Sequence, residues 1–209
     1  MEIALLGATG GTGQEILKQA LNLGHSVRAL VRSPGKVETR HERLEVVQAD
    51  VMKESAEALA EKLGSSDVVV SSLGTGTNLG ITRLYSEGTE RVVAAMKQAD
   101  IERLIAVSST GTDPTKGEPW WYLWFVRRLL INVYVDQARM EQNLMASDLD
   151  WIIVRPSQLT DGQHKGFYRV APRHNPEGGF RISRADVADF ILGQLDKDTY
   201  LRQTPALAY

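Results

Sequence analysis

The chain has 209 residues, 43% of them hydrophobic, which is enough for one well-packed core and at most a small appended lobe. Its 24 basic and 26 acidic residues leave a net charge of −2 and are spread along the chain, so a nucleic-acid or membrane partner is not expected. With no cysteine at all, disulfides, thiol catalysis and cysteine-held metals are excluded, and the composition fits a reducing compartment.

The first segment, Met1 to Leu6, reads as a core strand rather than a basic stretch followed by a long apolar one. The expectation is a soluble, cytoplasmic protein without signal peptide or transmembrane span. This strand runs straight into Gly7-Ala8-Thr9-Gly10-Gly11-Thr12-Gly13. Gly7 can make the tight turn, Gly10 can let the backbone approach phosphates, and Gly13 can let the following helix pack closely. Thr9, Gly11 and Thr12 complete a mouth for a dinucleotide pyrophosphate, lying at a helix N-terminus whose N–H groups favour anions. Ile16, Leu17, Ala20 and Leu21 follow at helical spacing, with Gly24 as the expected C-cap.

Strand-length apolar runs then alternate with helical stretches. The second and third strands are read at Ser26 to Val31 and Leu44 to Gln48, a short helix at Ser55 to Leu63, and a buried strand at Asp67 to Ser72. A longer helix covers Arg83 to Gln98, a strand Arg103 to Ser108, a mostly helical stretch Trp120 to Ser147, and a strand Trp151 to Val154. The last helix, Ser183 to Leu195, has Ser183 as N-cap and Asp186 three residues on. This alternation predicts an α/β fold, a Rossmann-type doubly wound parallel sheet, as one NAD(P)-binding domain over residues 1–209. Residues 158–182 are expected to form a small, loop-rich C-terminal substrate lobe.

In such a sheet, ligands bind outside the carboxyl ends of the strands. The second strand ends at Arg32, where an NAD-preferring protein would place an acidic residue. Arg32, Ser33 and Lys36 form a basic, hydrogen-bonding cluster suited to a 2′-phosphate, so the expected cofactor is NADP(H); the alternative is an ordinary solvated loop. Asp50 and Val51, past the third strand, sit where an adenine would be clasped, and Asp50 can equally serve as a helix N-cap. After the fourth strand, Leu73-Gly74-Thr75 opens a second glycine turn able to run along the cofactor. The fifth strand ends in Ser108-Ser109-Thr110, placing hydroxyls near the nicotinamide.

These blocks, together with Ser86-Glu87-Gly88 through Lys97, Asp113-Pro114-Thr115-Lys116 and Ile182-Ser183 leading to Asp186, make the chain similar to the biliverdin-IXβ reductase, or flavin reductase, family. That family is an atypical branch of the short-chain dehydrogenases/reductases, with NmrA-like proteins as wider relatives. The resemblance implies NADPH-dependent hydride transfer to a small planar conjugated acceptor, either a flavin such as FMN or riboflavin or a linear tetrapyrrole such as biliverdin. It implies Ser109 as the active-site serine, Arg32 as the 2′-phosphate ligand, and Pro156 of Arg155-Pro156-Ser157-Gln158 beside the cofactor. Two positions depart from the family: Gln158 stands where its members carry histidine, and Gly76 where they carry arginine.

The Tyr-x-x-x-Lys pair that normally supplies a lowered-pKa phenol for alcohol oxidation is missing, since Tyr134 is followed four places on by Ala138. Flavins and bilins do not need that base, because their conjugated rings delocalise the charge that hydride brings. Trp120, Trp121, Tyr122, Trp124 and Phe125 concentrate five aromatics in six residues, suited to stacking on a planar acceptor or to burial against the sheet. Gln158 and His164, with Trp120 and Trp121, are the remaining candidate substrate contacts. Arg127 and Arg128 read as the solvent side of a helix. No His or carboxylate pair has metal-ligand spacing, so no metal is expected. A monomer is expected, and the rival reading is a non-catalytic NADP-sensing protein of NmrA-like type.

Overall fold

The computed structural model describes residues 1–113 and 127–209, so the aromatic run with Trp120 and Trp121 lies outside the described residues. Strand β1 (Glu2–Leu6) leads into helix α1 (Gly11–Asn22), then β2 (Ser26–Val31), β3 (Leu44–Gln48), α2 (Ala56–Leu63), β4 (Val68–Ser71) and α3 (Ser86–Gln98). There follow β5 (Arg103–Val107), α4 (Arg127–Leu129), α5 (Ile131–Met145), β6 (Asp150–Pro156), β7 (Gln158–Thr160), β8 (Arg169–Pro172), β9 (Arg181–Ser183), α6 (Arg184–Leu192) and β10 (Pro205–Ala208).

The main sheet has eight strands in the order β3-β2-β1-β4-β5-β6-β10-β8. Its first six strands pair in parallel, as do β6 and β10, whereas β8 runs antiparallel at the edge. The order reverses between β1 and β4, which opens a crevice at the carboxyl end of β1. Val68, Val69 and Val70 are fully buried because both faces of β4 are covered by helices, the setting in which a parallel strand reads as an unbroken apolar run. One core layer joins this sheet to α1 and α6 through Ile16, Leu17, Phe190 and Ile191; the other joins it to α2, α3 and α5 through Leu59, Met96, Met140 and Leu144. Helix α1 buries Ile16, Leu17, Ala20 and Leu21, and Gly24 follows it with a left-handed φ of +88°, donating its N–H to the Leu21 carbonyl.

The carboxyl-terminal quarter differs from expectation. Residues 158–182 are not simply loop: β7 pairs in parallel with β9, and β8 pairs with β10. Strand β10 was not foreseen from the sequence, although its four residues are all buried, and it extends the sheet beside β6. These strands are three or four residues long and owe their conformation to partners far away in sequence, so periodicity does not reveal them. Helix α6 begins where expected, Ser183 Oγ accepting the Asp186 N–H at 3.0 Å, but ends at Leu192 rather than Leu195.

Candidate active site

The turn after β1 is shaped by backbone contact. Gly7 has φ +80°, and a Cβ there would lie 2.3 Å from the Ser72 carbonyl oxygen. A Cβ on Gly13 would lie 2.1 Å from the Gly7 oxygen, so Gly13 packs against the turn itself. Gly10 takes the N-cap position with φ −82°, and its N–H donates to Gly7 O at 2.9 Å. Helix α1 has no side-chain cap and no acid in its first turn, so its leading N–H groups are left for an anion.

Above this turn lies a cleft of about 480 Å³. Of the residues expected to bind the cofactor, Gly7, Thr9, Gly10, Gly11, Thr12, Arg32, Val51, Leu73, Gly74, Thr75 and Ser108 line this cleft. Ser33, Lys36, Asp50, Gly13 and Pro156 do not. Asp50 instead turns its Oδ1 to the Met52 N–H at 3.0 Å, a local turn role. Arg32 is exposed and makes no hydrogen bond or ion pair among the described residues, leaving its guanidinium free for a ligand. Tyr85 forms part of the wall, and burial raises its phenol above the ordinary value against hydrogen bonding from Thr75, so it stays protonated. The segment that carries Tyr85 is fixed by buried Asp136 of α5, which accepts the Tyr85 N–H at 2.9 Å and the Ser86 hydroxyl.

A second cavity of about 330 Å³ abuts the cleft. Ser108, Leu130, Val133, Gln137 and Leu159 line both, so the two spaces meet at these side chains. Ser109, Pro156 and Gln158 line only the second. The hydroxyl at the junction is therefore that of Ser108, while Ser109 Oγ accepts the Gly111 N–H at 3.1 Å and caps the short turn after β5. His164 lines neither space; its Nε2 faces Asp189 at 3.3 Å and Asp186 at 3.7 Å.

Two site residues escaped sequence reasoning. Gln137, three positions after Tyr134 on α5, is 6% exposed at the junction, and its Oε1 has no hydrogen-bond partner among the described residues. Arg184, first residue of α6, lies over the start of α1: a Cβ on Gly11 would come within 2.8 Å of its Cδ. Its guanidinium pairs with Asp161 and borders the cleft. The Ser183 cap was a usable signal for Arg184, since it marks the next residue as helix-starting and near the sheet's ligand edge; Gln137 gave none.

Behind the second cavity, Arg155 and Glu141 form a buried, two-bond pair, Nε to Oε1 at 2.9 Å and Nη2 to Oε2 at 2.6 Å. Thr112 Oγ1 adds a bond to Glu141 Oε1 at 3.3 Å, and Arg155 Nη1 reaches the Arg173 carbonyl at 3.0 Å. The pair thus ties α5, β6 and the turn after Ser109 together. Nearby, the Arg173 guanidinium, 2.7 Å from Asp113, holds that carboxyl below its ordinary range.

Asp186 anchors the carboxyl-terminal segment. Burial opposes its ionisation, but the Tyr209 hydroxyl, the Gly166 and Lys165 N–H groups and Ser183 overcome this and hold its pKa below the ordinary 3.8. Because the folded value is depressed, the stabilisation is fully present above the unfolded value and is lost as pH falls through the folded one. Asp186→Asn should therefore lower the melting temperature at neutral pH, and the gap to the parent should narrow below about pH 4, as thermal melts across pH would show.

The arrangement fits a nicotinamide dinucleotide: an anion-receptive helix start, a cradle that a Cβ would fill, a free guanidinium at the second strand's end, and a cleft running to Ser108. Among the described residues, no group of three or more His, Asp or Glu could hold a metal, and no helix is long and apolar enough to cross a membrane. Comparison with known proteins agrees with the fold. Uncharacterized protein YwnB of Bacillus subtilis is 28% identical over 205 residues, covering 94% of this chain and 92% of its own. The crystal structure of the oxidoreductase ylbE from Lactococcus lactis superposes with a TM-score of 0.85 at 21% identity, covering 100% of this chain and 90% of that one. That of "a putative NADH-flavin reductase" from Streptococcus pneumoniae gives 0.78 at 23% identity, covering 100% and 99%. The family model described as NAD(P)H-binding matches residues 7–198, from the first glycine of the cradle to beyond α6, and the chain therefore belongs to this NAD(P)H-binding family.

Proposed function

We propose that the protein is an NADPH-dependent reductase that passes hydride to a flat conjugated acceptor of flavin type, with a linear tetrapyrrole as the other acceptor its sequence resemblance suggests. The observation that carries this reading is the meeting of the two cavities at Ser108 and Gln137. Arg32 and the start of α1 would hold the phosphates of the cofactor, Ser108 and Gln137 would border its reactive end, and an acceptor in the second cavity would then be within reach of the hydride. When bound, NADPH supplies the hydride; together with one proton from solvent it turns oxidised flavin into dihydroflavin and leaves NADP+.

The chain's own part is to bind, orient and exclude water. Leu130, Val133 and Leu159 wall the junction with apolar surface, while Ser108 offers a hydroxyl that no described residue engages. Ser109, on the second cavity, orients the acceptor in this reading, and Gln158 replaces an ionisable side chain by a neutral one. The Tyr-Lys base of alcohol dehydrogenation is absent, which suits an acceptor that needs no such base. The likeness to the Streptococcus pneumoniae protein points the same way. A monomer in the cytoplasm completes the proposal, in keeping with the lack of cysteine.

Mixing the protein with NADPH and either FMN, riboflavin or biliverdin should consume nicotinamide absorbance catalytically. Cofactor binding without turnover on any of them would favour the non-catalytic NADP-sensing alternative. The 2′-phosphate preference is tested by Arg32→Ala, which should raise the KM for NADPH about 10- to 100-fold and leave that for NADH nearly unchanged, the loss of a charge-assisted contact.

A further inference from the structure

The second cavity carries a chemical preference of its own. Its lining among the described residues contains no Asp, Glu, Lys, Arg or His. Arg155, next to the lining Pro156, is held by Glu141, and Arg173 is held by Asp113. The cleft beside it, by contrast, has two guanidinium groups on its walls, those of Arg32 and Arg184. Among the described residues that line the two spaces, the cations are thus all on the cofactor side.

Within this uncharged space, three polar side-chain atoms are buried and lack a partner among the described residues: Ser108 Oγ, Gln137 Oε1 and Ser157 Oγ. Their residues are 4%, 6% and 7% exposed and all border the cavity. Buried polar groups in native proteins are nearly always paired, and an orphan on a cavity wall finds its partner in what fills the cavity. An apolar cavity with a few convergent polar atoms is the usual form of a small-molecule site, and about 330 Å³ is at the small end of such sites.

Resting on the reductase reading above, we infer that the second cavity selects an uncharged planar ring with a carbonyl or imide edge, which Ser157 and Gln137 read, and rejects the same ring with a carboxylate held close to it, so that the phosphate of FMN or the propionates of a tetrapyrrole would have to lie outside this space. Desolvating an anion against walls with no cation leaves its charge uncompensated. A ring edge with carbonyl acceptors and an N–H donor supplies what the hydroxyl and amide lack.

The test uses lumiflavin, its N10-carboxymethyl analogue and the methyl ester of that analogue, which all keep the imide edge, each titrated into protein saturated with NADP+, with flavin fluorescence as the readout. No hydride is transferred under these conditions. The carboxylate should bind at least about 30-fold more weakly than its ester, which has the same substituent position without the charge. Ser157→Ala should weaken lumiflavin about 5- to 10-fold and leave NADP+ affinity as it is, because Ser157 lines only the second cavity. Gln158→Lys, adding a cation at an exposed wall position, should remove or invert the ester preference. Equal binding of carboxylate and ester would overturn the charge selection, and an unchanged lumiflavin affinity in Ser157→Ala would overturn the edge recognition. Failure of lumiflavin itself to bind the NADP+ complex would instead remove the acceptor reading on which the inference rests.

Discussion

Gly13→Ala should abolish useful NADPH binding, lowering affinity by about 100-fold or more while the chain still folds. The added methyl would lie 2.1 Å from Gly7 O and 2.9 Å from Ala8 Cα, both backbone atoms, so no flexible side-chain end can swing away. Either α1 shifts or the turn opens, and each moves the N–H groups that face the cleft. Overpacking of this kind typically costs about 1–3 kcal/mol, and here it falls on the cradle where position matters most. Gly35→Ala is the matched control, since a Cβ there meets nothing within 4 Å. Isothermal titration with NADPH on both variants gives the comparison: loss in the first and parent-like affinity in the second.

Glu141→Ala should have the largest effect on stability. It takes from the Arg155 guanidinium, 5% exposed, its two-bond carboxylate partner and leaves only Asp113, 3.9 Å away, as an anionic neighbour. Breaking a buried pair from one side costs about 3–5 kcal/mol, which for a domain of this size is a fall in melting temperature of roughly 10–15 °C. Replacing both partners, Glu141→Leu with Arg155→Met, should recover much of that loss, because the orphaned charge goes with the partner. Calorimetric melts of the single and double variants decide the point. A single variant as stable as the parent would show that the pair does not hold the wall of the second cavity.

The cradle was legible because its signals are local. An apolar strand, glycines three apart and an amphipathic helix follow one another without a gap, and the backbone contacts of Gly7 and Gly13 are what that spacing reports. Arg32 could be placed because it ends a strand whose alternation is plain, and strand ends are where ligands gather. What stayed hidden depends on the tertiary fold. Strands β7 to β10 take their shape from one another across tens of residues. Gln137 looks like any polar residue on a helix until α5 turns it toward the junction of two cavities. The serine pair shows the same limit at finer scale: Ser108 and Ser109 are neighbours in sequence, yet one lines both spaces and the other caps a turn.

Arg184 shows how a cap can point beyond itself. Its place at the first turn of α6 follows from Ser183, whereas its reach over Gly11 follows from α6 packing on α1. The glycine at 11 is the counterpart of that arginine, leaving room where any side chain would collide with it.

In the proposed reaction hydride crosses directly between the two spaces that meet at Ser108 and Gln137. Its most direct measurement is a single-turnover, stopped-flow reaction of flavin with protein-bound NADPH, run beside NADPH deuterated at the transferring C4 position. Flavin should bleach in step with nicotinamide oxidation, and deuterium should slow both. Tight NADPH binding with no bleaching, or bleaching indifferent to the isotope under conditions where transfer is the only step observed, would contradict it.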